Sequence, residues 1–215
     1  MANQTQRPDT ALHNTSHLMQ YHDLIESIVA ALDARDAYTA SHSDRVADMV
    51  LVLAAALGLG EDETTRIHMA AHLHDIGKIA VPDSVLRKAG PLTSPEWEEM
   101  RRHPVTGYEI LRKVDDFKEI AVLVRHHHER WDGRGYPDGL AGDDIPISAQ
   151  IVSMADVYDA LVSKRVYKAA YSPDTAVQMI LHGDCGQFNP LLLECLVEIQ
   201  DVLKAEIVGR ENEDS

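Results

Sequence analysis

The chain has 215 residues, 45% of them hydrophobic, which is enough for one well-cored domain. Asp and Glu outnumber Lys and Arg by 35 to 20, and the formal net charge of −15 disfavours binding of a nucleic-acid polymer through its phosphates. The longest apolar run, residues 49–57, is shorter than the roughly 20 residues that span a bilayer, and no signal-like segment opens the chain. We therefore expect a soluble cytoplasmic domain without membrane contact, with Cys185 and Cys195 reduced.

Apolar residues recur at steps of three and four from about Leu18 onward, with hardly any alternation of period two. This pattern predicts a nearly all-α fold. The expected domain covers residues 18–208, between a flexible polar tail at 1–17 and a flexible acidic tail at 209–215. The helix expected around residues 18–32 is a candidate surface for pairing two copies of the chain in a homodimer.

Several local patterns predict where helices begin and end. Gly58 follows the apolar stretch 46–57 and is typical of a C-terminal cap. Thr93 and Glu96 have the spacing of a capping box, so a helix is expected to begin near residue 94. The pairs Ser172-Pro173 and Asn189-Pro190 each place a capping residue before a proline, which predicts helices running to about residues 182 and 207.

One segment, residues 131–147 (WDGRGYPDGLAGDDIPI), interrupts the helical pattern. Its four glycines and two prolines forbid a regular helix and supply several turns. Ordered loops of this length are usually functional. Within it, Tyr136 and Pro137 either shape the loop or contact a nucleotide base or a partner protein.

The histidines are concentrated in one part of the chain, since eight of the twelve fall between residues 42 and 128. The sharpest motif is His74-Asp75-Ile76-Gly77-Lys78, which follows the amphipathic stretch 63–73. Neighbours on a continuing helix point about 100° apart, so a helix that stops or bends at Gly77 would let His74 and Asp75 converge on one metal ion. The two oxygens of the Asp75 carboxylate could also bridge a second ion.

Further candidate ligands have alternative interpretations. Asp156 lies on a largely apolar helix face, where a charge is costly unless it is paired in a salt bridge or bound to a metal. His103 precedes Pro104 and is either a helix cap or a ligand at a helix start. Of the adjacent histidines at 126–128, two at most are expected to reach one metal. His68 and His72 are four residues apart, and without a neighbouring carboxylate we interpret them as surface or core-edge residues.

Together these motifs resemble the HD-GYP family, in the family's order. The resemblance covers roughly residues 20–205 and rests on DARDAYTASHS at 33–43, HDIGK at 74–78, His103-Pro104 followed by Gly107, HHERWDGRGYPDGL at 127–140 and DVYDALVSKRVYK at 156–168. The histidine–aspartate pair alone is a weak signal, but the loop that follows two histidines makes the combination specific. The resemblance implies an HD-type helical bundle with a long glycine-rich GYP loop.

The resemblance also implies two groups of metal ligands that share Asp75 as a bridge. The ligands are His42, His74, Asp75 and Asp156 at one ion, and Asp75, His103, His127 and His128 at the other. We expect these seven side chains, from five chain segments, to meet in one pocket. Family members that bind a third metal place a glutamate where this chain has Tyr38. A phenol must lose its proton to bind a divalent ion, so two ions are expected rather than three.

For the substrate, the resemblance implies phosphate contacts from Lys78, Arg165 and Lys168, although Arg165 and Lys168 also fit a solvated helix end. Asp75 and Lys78 are the expected catalytic residues, and Tyr136 is a further candidate for substrate contact. Nitrogen and oxygen ligands suit iron, manganese or zinc, and the resemblance favours iron or manganese.

The activity that the resemblance implies is hydrolysis of cyclic di-GMP to linear pGpG, and onward to GMP, by a hydroxide that bridges the two metals. The ions would also explain how an acidic protein acts on an anion, since they are the largest local charges. Two alternatives stay open. The chain could be an HD-fold phosphohydrolase for another nucleotide, or a signalling module that binds a dinucleotide or a partner protein through the GYP loop without turnover.

Overall fold

The computed structural model describes residues 18–35, 41–164 and 169–213, with side chains described as far as residue 205. The regular secondary structure of these residues is entirely helical, with no strand, which confirms the predicted all-α fold. Short 3-10 turns occur at Ile76–Ala80, Asp115–Phe117 and Gly142–Asp144. The helices are α1 (His22–Asp33), α2 (His42–Ala56), α3 (Glu61–Leu73), α4 (Asp83–Leu86), α5 (Ser94–Met100), α6 (His103–Leu111), α7 (Lys118–His126), α8 (Ile147–Val162), α9 (Pro173–His182) and α10 (Pro190–Glu213).

The predicted helix boundaries agree with the structure except at the end of the last helix. Gly58 has a φ of 67° just beyond α2, a conformation that glycine adopts at little cost. The Glu96 carboxylate accepts the backbone N–H of Thr93 at 2.7 Å, which completes the capping box of α5. Ser172 accepts the backbone N–H of Thr175 at the start of α9. Helix α10 begins at Pro190 as expected but continues to Glu213, past the predicted end near residue 207.

Helix α3 lies at the centre of the bundle, where it packs against α2, α7 and α8. Its inner residues Ile67, Met69 and Ala70 are fully buried. Burial of one large apolar side chain stabilises the fold by about 1.5–3 kcal/mol, so these residues hold α3 firmly among its neighbours. The carboxyl end of α3, which carries the histidine–aspartate motif, is therefore fixed in the interior of the molecule.

The N-terminal helix α1 is tied to the segment after this motif by Arg35. The guanidinium group donates hydrogen bonds to the backbone carbonyls of Lys78 at 3.2 Å, Ile79 at 2.8 Å and Val81 at 2.6 Å. The same guanidinium contacts the Asp83 carboxylate. Arg35 thus satisfies carbonyls of the 3-10 turn and connects the two segments.

The GYP loop is ordered by the buried carboxylate of Glu129. This carboxylate accepts the backbone N–H groups of Asp138 at 2.7 Å, Gly139 at 3.1 Å and Leu140 at 3.1 Å. Hydrogen bonds to an ionised acceptor are about twice as strong as those between neutral groups. One side chain at the start of the loop therefore holds its far side, which explains how a segment rich in glycine keeps a defined shape.

No helix in the described part of the chain is both long enough and apolar enough to cross a membrane. Cys185 and Cys195 are free thiols. The predictions about Tyr38, Arg165, Lys168 and the tail at 1–17 lie outside the described residues.

Candidate metal centre

The histidine–aspartate pair follows the end of α3 at Leu73, and Asp75 precedes the 3-10 turn Ile76–Ala80. The helix stops here as predicted, but the role of Gly77 differs from the expected bend. Gly77 has no positive φ, and a Cβ atom at this position would overlap the carbonyl oxygen of His103 and lie 2.6 Å from the backbone nitrogen of Gly107. Gly77 is therefore needed because it lets α6, which carries His103, pack directly against the motif.

One cluster of potential ligands forms where α2 and α8 meet the end of α3. His42, His74 and Asp75 each offer a ligand atom, and these atoms lie within 4.8 Å of one another. Asp156 joins them from α8, with its Oδ1 atom 3.3 Å from Nε2 of His42. All four side chains are buried or largely buried, so their polar atoms face each other rather than solvent.

A second cluster lies beside the first and is formed by His103, His127 and His128, whose ligand atoms also lie within 4.8 Å of one another. Asp75 stands between the two clusters. Its Oδ2 atom lies 3.4 Å from Nε2 of His74, and its Oδ1 atom lies 3.3 Å from Nε2 of His103. One carboxylate thus presents a separate oxygen to each cluster, the arrangement that a bridging ligand requires.

Backbone hydrogen bonds orient three of these imidazoles. The Nδ1 atoms of His74, His103 and His127 lie 2.6, 2.8 and 2.7 Å from the carbonyl oxygens of the residues three positions earlier. Because a carbonyl only accepts, each Nδ1 carries a proton, and the opposite nitrogen, Nε2, is the one turned into the pocket. Such contacts are typical of metal-binding histidines. The Nε2 atom of His74 is buried and has no hydrogen-bond partner.

The electrostatics of the site keep the acids ionised and several imidazoles neutral. Burial would raise the pKa of Asp75, but Lys78 and His74 lower this pKa well below its usual value. Burial would likewise raise the pKa of Asp156, but a hydrogen bond from His42 and the charges of His74 and His42 together lower this pKa. Burial lowers the pKa of His128 to about 3 and that of His127 well below 6.5. These protonation states are the ones that bind metal.

His42 behaves differently. Burial lowers its pKa, but the hydrogen bonds and charges of Asp156 and Asp159 outweigh burial and raise the pKa to about 10. Two carboxylates therefore stabilise positive charge at this point of the pocket. A divalent cation would take the place of that proton, so the charge balance of the site also fits a metal.

The donor set fits metal binding as a whole, because it offers only imidazole nitrogens and carboxylate oxygens. The structure brings together all seven residues that the sequence predicted as ligands. His126 is turned away and contacts Asp138, with Nε2 3.0 Å from Oδ2. This agrees with the expectation that not all three adjacent histidines reach a metal.

Two of the expected substrate-contact residues, Lys78 and Tyr136, are in the described part of the chain, and both lie at the edge of this site. The Lys78 ammonium donates to Oδ2 of Asp75 at 2.5 Å. The ring of Tyr136 lies 4.8 Å from that of His128, centre to centre, and the Arg101 guanidinium lies 5.3 Å from the centre of the tyrosine ring. Burial raises the pKa of Tyr136, so its hydroxyl stays protonated. The GYP loop therefore contributes a side chain to the wall of the metal pocket.

Sequence reasoning missed the residues that support the ligands. Asp159 contacts Nδ1 of His42 at 2.6 Å and Nε of Arg45 at 2.5 Å. Asp159 lies three residues after Asp156 on the same apolar helix, so the argument that a charge there needs a partner applied equally to it. The role of Glu129 in holding the loop was also missed, because the three backbone N–H groups that donate to it become its neighbours only when the loop folds back.

The fold and the pocket define a helical protein of the HD type, in which a histidine–aspartate pair ends one helix and joins histidines from its neighbours. Comparison with known protein families supports this assignment to the HD type. Residues 22–188 match the model of the HD domain family. The chain therefore belongs to the HD domain family, and the resemblance to HD-GYP proteins drawn from its motifs is confirmed.

Characterised relatives are considerably longer than this chain. The cyclic di-GMP phosphodiesterase response regulator RpfG of Xanthomonas campestris is 43% identical over 177 residues, which cover 81% of this chain and 47% of that protein. The 3'3'-cGAMP-specific phosphodiesterase 2 of Vibrio cholerae is 42% identical over 184 residues, 83% of this chain and 35% of that protein. The chain thus spans half or less of these relatives.

Among solved structures, a cyclic GMP-AMP specific phosphodiesterase of Vibrio cholerae superposes with a TM-score of 0.64 at 19% identity. The superposition covers 83% of this chain and 48% of that one. At this identity the likeness shows the shared HD fold.

Proposed function

We propose that this chain is a metal-dependent phosphodiesterase that hydrolyses a cyclic dinucleotide, with cyclic di-GMP as the first candidate. The observation that carries the proposal is the position of Asp75, with one carboxylate oxygen facing each of two histidine clusters. The names of the two relatives above, at more than 40% identity, supply the substrate class. We also propose that residues 18–208 form the catalytic domain.

The ligand groups would be His42, His74, Asp75 and Asp156 for one ion, and Asp75, His103, His127 and His128 for the other. Two divalent ions, with iron or manganese favoured over zinc, would supply a nucleophilic water of lowered pKa and neutralise charge on the phosphodiester. The protein's own contribution is positional. Backbone carbonyls hold three imidazoles in the metal-binding tautomer, and Asp75 holds the two ligand groups together.

Lys78 has a distinct role in the proposal. Its ammonium lies beside Asp75 and is about one-fifth exposed, so it stands at the border between the ligands and solvent. A cation there can contact a phosphate oxygen and stabilise the negative charge that builds up as the phosphodiester is attacked. Tyr136 packs beside the His128 ring, with the ring centres 4.8 Å apart, and in the proposal it contacts the substrate next to the metal ligands. Arg165 and Lys168 remain candidates for phosphate contact.

To test the proposal, the protein is purified anaerobically and its metal content is measured. It is then incubated with cyclic di-GMP and, in parallel, with 3'3'-cGAMP. We expect conversion of at least one to its linear dinucleotide, seen by chromatography, and the ratio of rates assigns base preference. Asp75→Ala should lose metal and reduce turnover by more than about a hundredfold. Loss of a residue that only supports a ligand typically costs about 10–100-fold, and loss of the bridging ligand itself should cost more. Glu194→Ala, an exposed carboxylate on α10, is the control and should leave both unchanged.

The alternative of a non-catalytic module predicts a different result. Tight binding of a cyclic dinucleotide by metal-loaded protein, with no product after long incubation, would favour it and contradict the hydrolase. Rapid hydrolysis of other nucleotides, with cyclic dinucleotides left intact, would favour a different HD phosphohydrolase. Partner binding through the GYP loop and homodimer formation through α1 remain predictions.

A further inference from the structure

A third cluster, made of histidines alone and separate from the two at the candidate metal centre, lies between helices α1 and α3. His22 comes from α1, and His68 and His72 come from α3. Each offers a ligand nitrogen, and these atoms lie within 4.8 Å of one another. The sequence placed His68 and His72 one turn apart but showed no partner beside them. The fold supplies the partner from a helix more than forty residues earlier in the chain.

The three imidazoles direct the same atom inward. Nε2 of His68 lies 3.4 Å from Nε2 of His22 and 3.3 Å from Nε2 of His72. Ligands of a tetrahedral ion with metal–nitrogen bonds of 2.0–2.1 Å are about 3.3–3.4 Å apart. These two separations therefore match the edge of a tetrahedral zinc site, and the third pair of ligand atoms lies within 4.8 Å.

Hydrogen bonding among the rings accounts for only part of this arrangement. Nδ1 of His68 lies 3.4 Å from the carbonyl oxygen of Ala47, which can only accept, so Nδ1 carries the proton and Nε2 of the neutral ring is a bare lone pair. That single lone pair faces two other Nε2 atoms, and it can accept one well-aligned hydrogen bond. A cation at the centre would satisfy all three nitrogens together.

The Nδ1 atoms of the three imidazoles, which point away from the centre of the cluster, lie near oxygen atoms. Nδ1 of His22 lies 3.4 Å from a carboxylate oxygen of Glu26, and Nδ1 of His72 lies 3.5 Å from one of Asp44. Since the carbonyl oxygen of Ala47 lies beside Nδ1 of His68, each of the three imidazoles has an oxygen atom near its Nδ1. Nδ1 of His72 makes no hydrogen bond in the structure, so Asp44 acts on it through its charge. An oxygen close to a ligating histidine orients the ring and increases its basicity, as in other zinc sites.

We propose that His22, His68 and His72 form a binding site for a transition-metal ion, Zn²⁺ in first place, that clamps helix α1 onto helix α3. The site is separate from the proposed catalytic centre. His72 precedes His74 by two positions, and side chains two apart on a helix point about 200° from each other. The side chain of His22 is 22% exposed, so a water molecule can reach the fourth coordination position.

The experiment measures Zn²⁺ bound per chain after chelator treatment, reloading and removal of free metal. Wild type should bind one more equivalent than either His68→Ala or His22→Ala. His182→Ala, which removes an exposed histidine at the end of α9, is the matched control and should equal wild type. Equal stoichiometry in wild type and both cluster variants would overturn the proposal. Loss of an equivalent in His182→Ala would also overturn it, because the binding would then be non-specific.

A second measurement removes the contribution of the catalytic centre. In the double variant Asp75→Ala/His103→Ala, Zn²⁺ should still raise the melting temperature, and adding His22→Ala should remove this shift. Because this background lacks the bridging ligand, the result does not depend on the proposed phosphodiesterase activity. Glu26→Gln, a conservative change outside the ring of ligands, should weaken Zn²⁺ binding about 10–100-fold while far-ultraviolet circular dichroism stays unchanged. Unaltered affinity in Glu26→Gln, with no effect of His22→Ala on the shift, would contradict the site.

Discussion

The Asp159 carboxylate holds His42 by a contact of 2.6 Å between Oδ2 and Nδ1, while its other oxygen receives Arg45 at 2.5 Å. Because Nδ1 is engaged in this way, the opposite nitrogen of His42 faces Asp156 at 3.3 Å. Helix α8 therefore provides both a candidate ligand and, one turn later, the residue that orients another ligand on α2. The two acids have different roles although they share one helix face.

Replacement of Asp159 by Asn tests this positioning role. The amide keeps the shape of the side chain but lacks the charge that orients the His42 ring and increases its basicity. We expect metal affinity at the proposed catalytic centre to fall about 10–100-fold, measured by competition with a chromophoric chelator. Glu194→Ala, which also removes one negative charge but at an exposed position on α10, serves as the control. Identical affinities in Asp159→Asn and wild type would show that Asp159 only contributes to folding.

The pKa of about 10 for His42 predicts how the metal-free protein responds to pH. This pKa is raised above the ordinary value of about 6.5, so pairing of His42 with the acids stabilises the fold fully below about pH 6.5. The contribution is lost as the pH rises towards 10. The difference in free energy of unfolding between wild type and His42→Gln should therefore shrink over this range in urea titrations. A difference that stays constant from pH 6.5 to 10 would contradict the assignment.

Gly77→Ala should separate the histidine–aspartate motif from helix α6. The new Cβ atom would meet the backbone of His103 and Gly107, which cannot move aside as a flexible side chain can. Overpacking typically costs about 1–3 kcal/mol, and the rigid contact places this substitution at the upper end, about 3 kcal/mol. Gly90→Ala is the matched control, since a Cβ atom there meets nothing within 4 Å. Denaturant unfolding of both variants measures the difference, and equal stabilities would refute the close-packing role.

Glu129→Gln should loosen the GYP loop. The amide has one accepting oxygen in place of the carboxylate that now serves three backbone N–H groups. Loss of hydrogen bonds to a buried charge predicts destabilisation by about 2–3 kcal/mol and faster proteolysis within residues 131–147. Asp132→Asn changes an exposed ion pair with Arg130 in the same loop and should cost less than about 1 kcal/mol. A loop that resists protease equally in both variants would argue against Glu129 as its anchor.

The sequence was sufficient for features that depend on residues close together in the chain. The capping box of Thr93 and Glu96 and the left-handed Gly58 follow from local backbone chemistry, and both appear where they were expected. The motif order also led to the seven candidate ligands that the structure brings together. That last step needed resemblance to a known family, because spacing alone did not distinguish Asp156 or His103 from a cap or a salt bridge.

The amino-acid sequence by itself determined the helix periodicity and the turn chemistry, since each depends on backbone sterics and hydrogen bonding within a few residues. It also gave the order of the motifs. Tertiary structure alone decided that Gly77 is needed for contact with α6, and that His22 meets His68 and His72. Such relationships join side chains far apart in the chain. They depend on how buried helix faces pack against one another, and no local pattern in either partner specifies that packing.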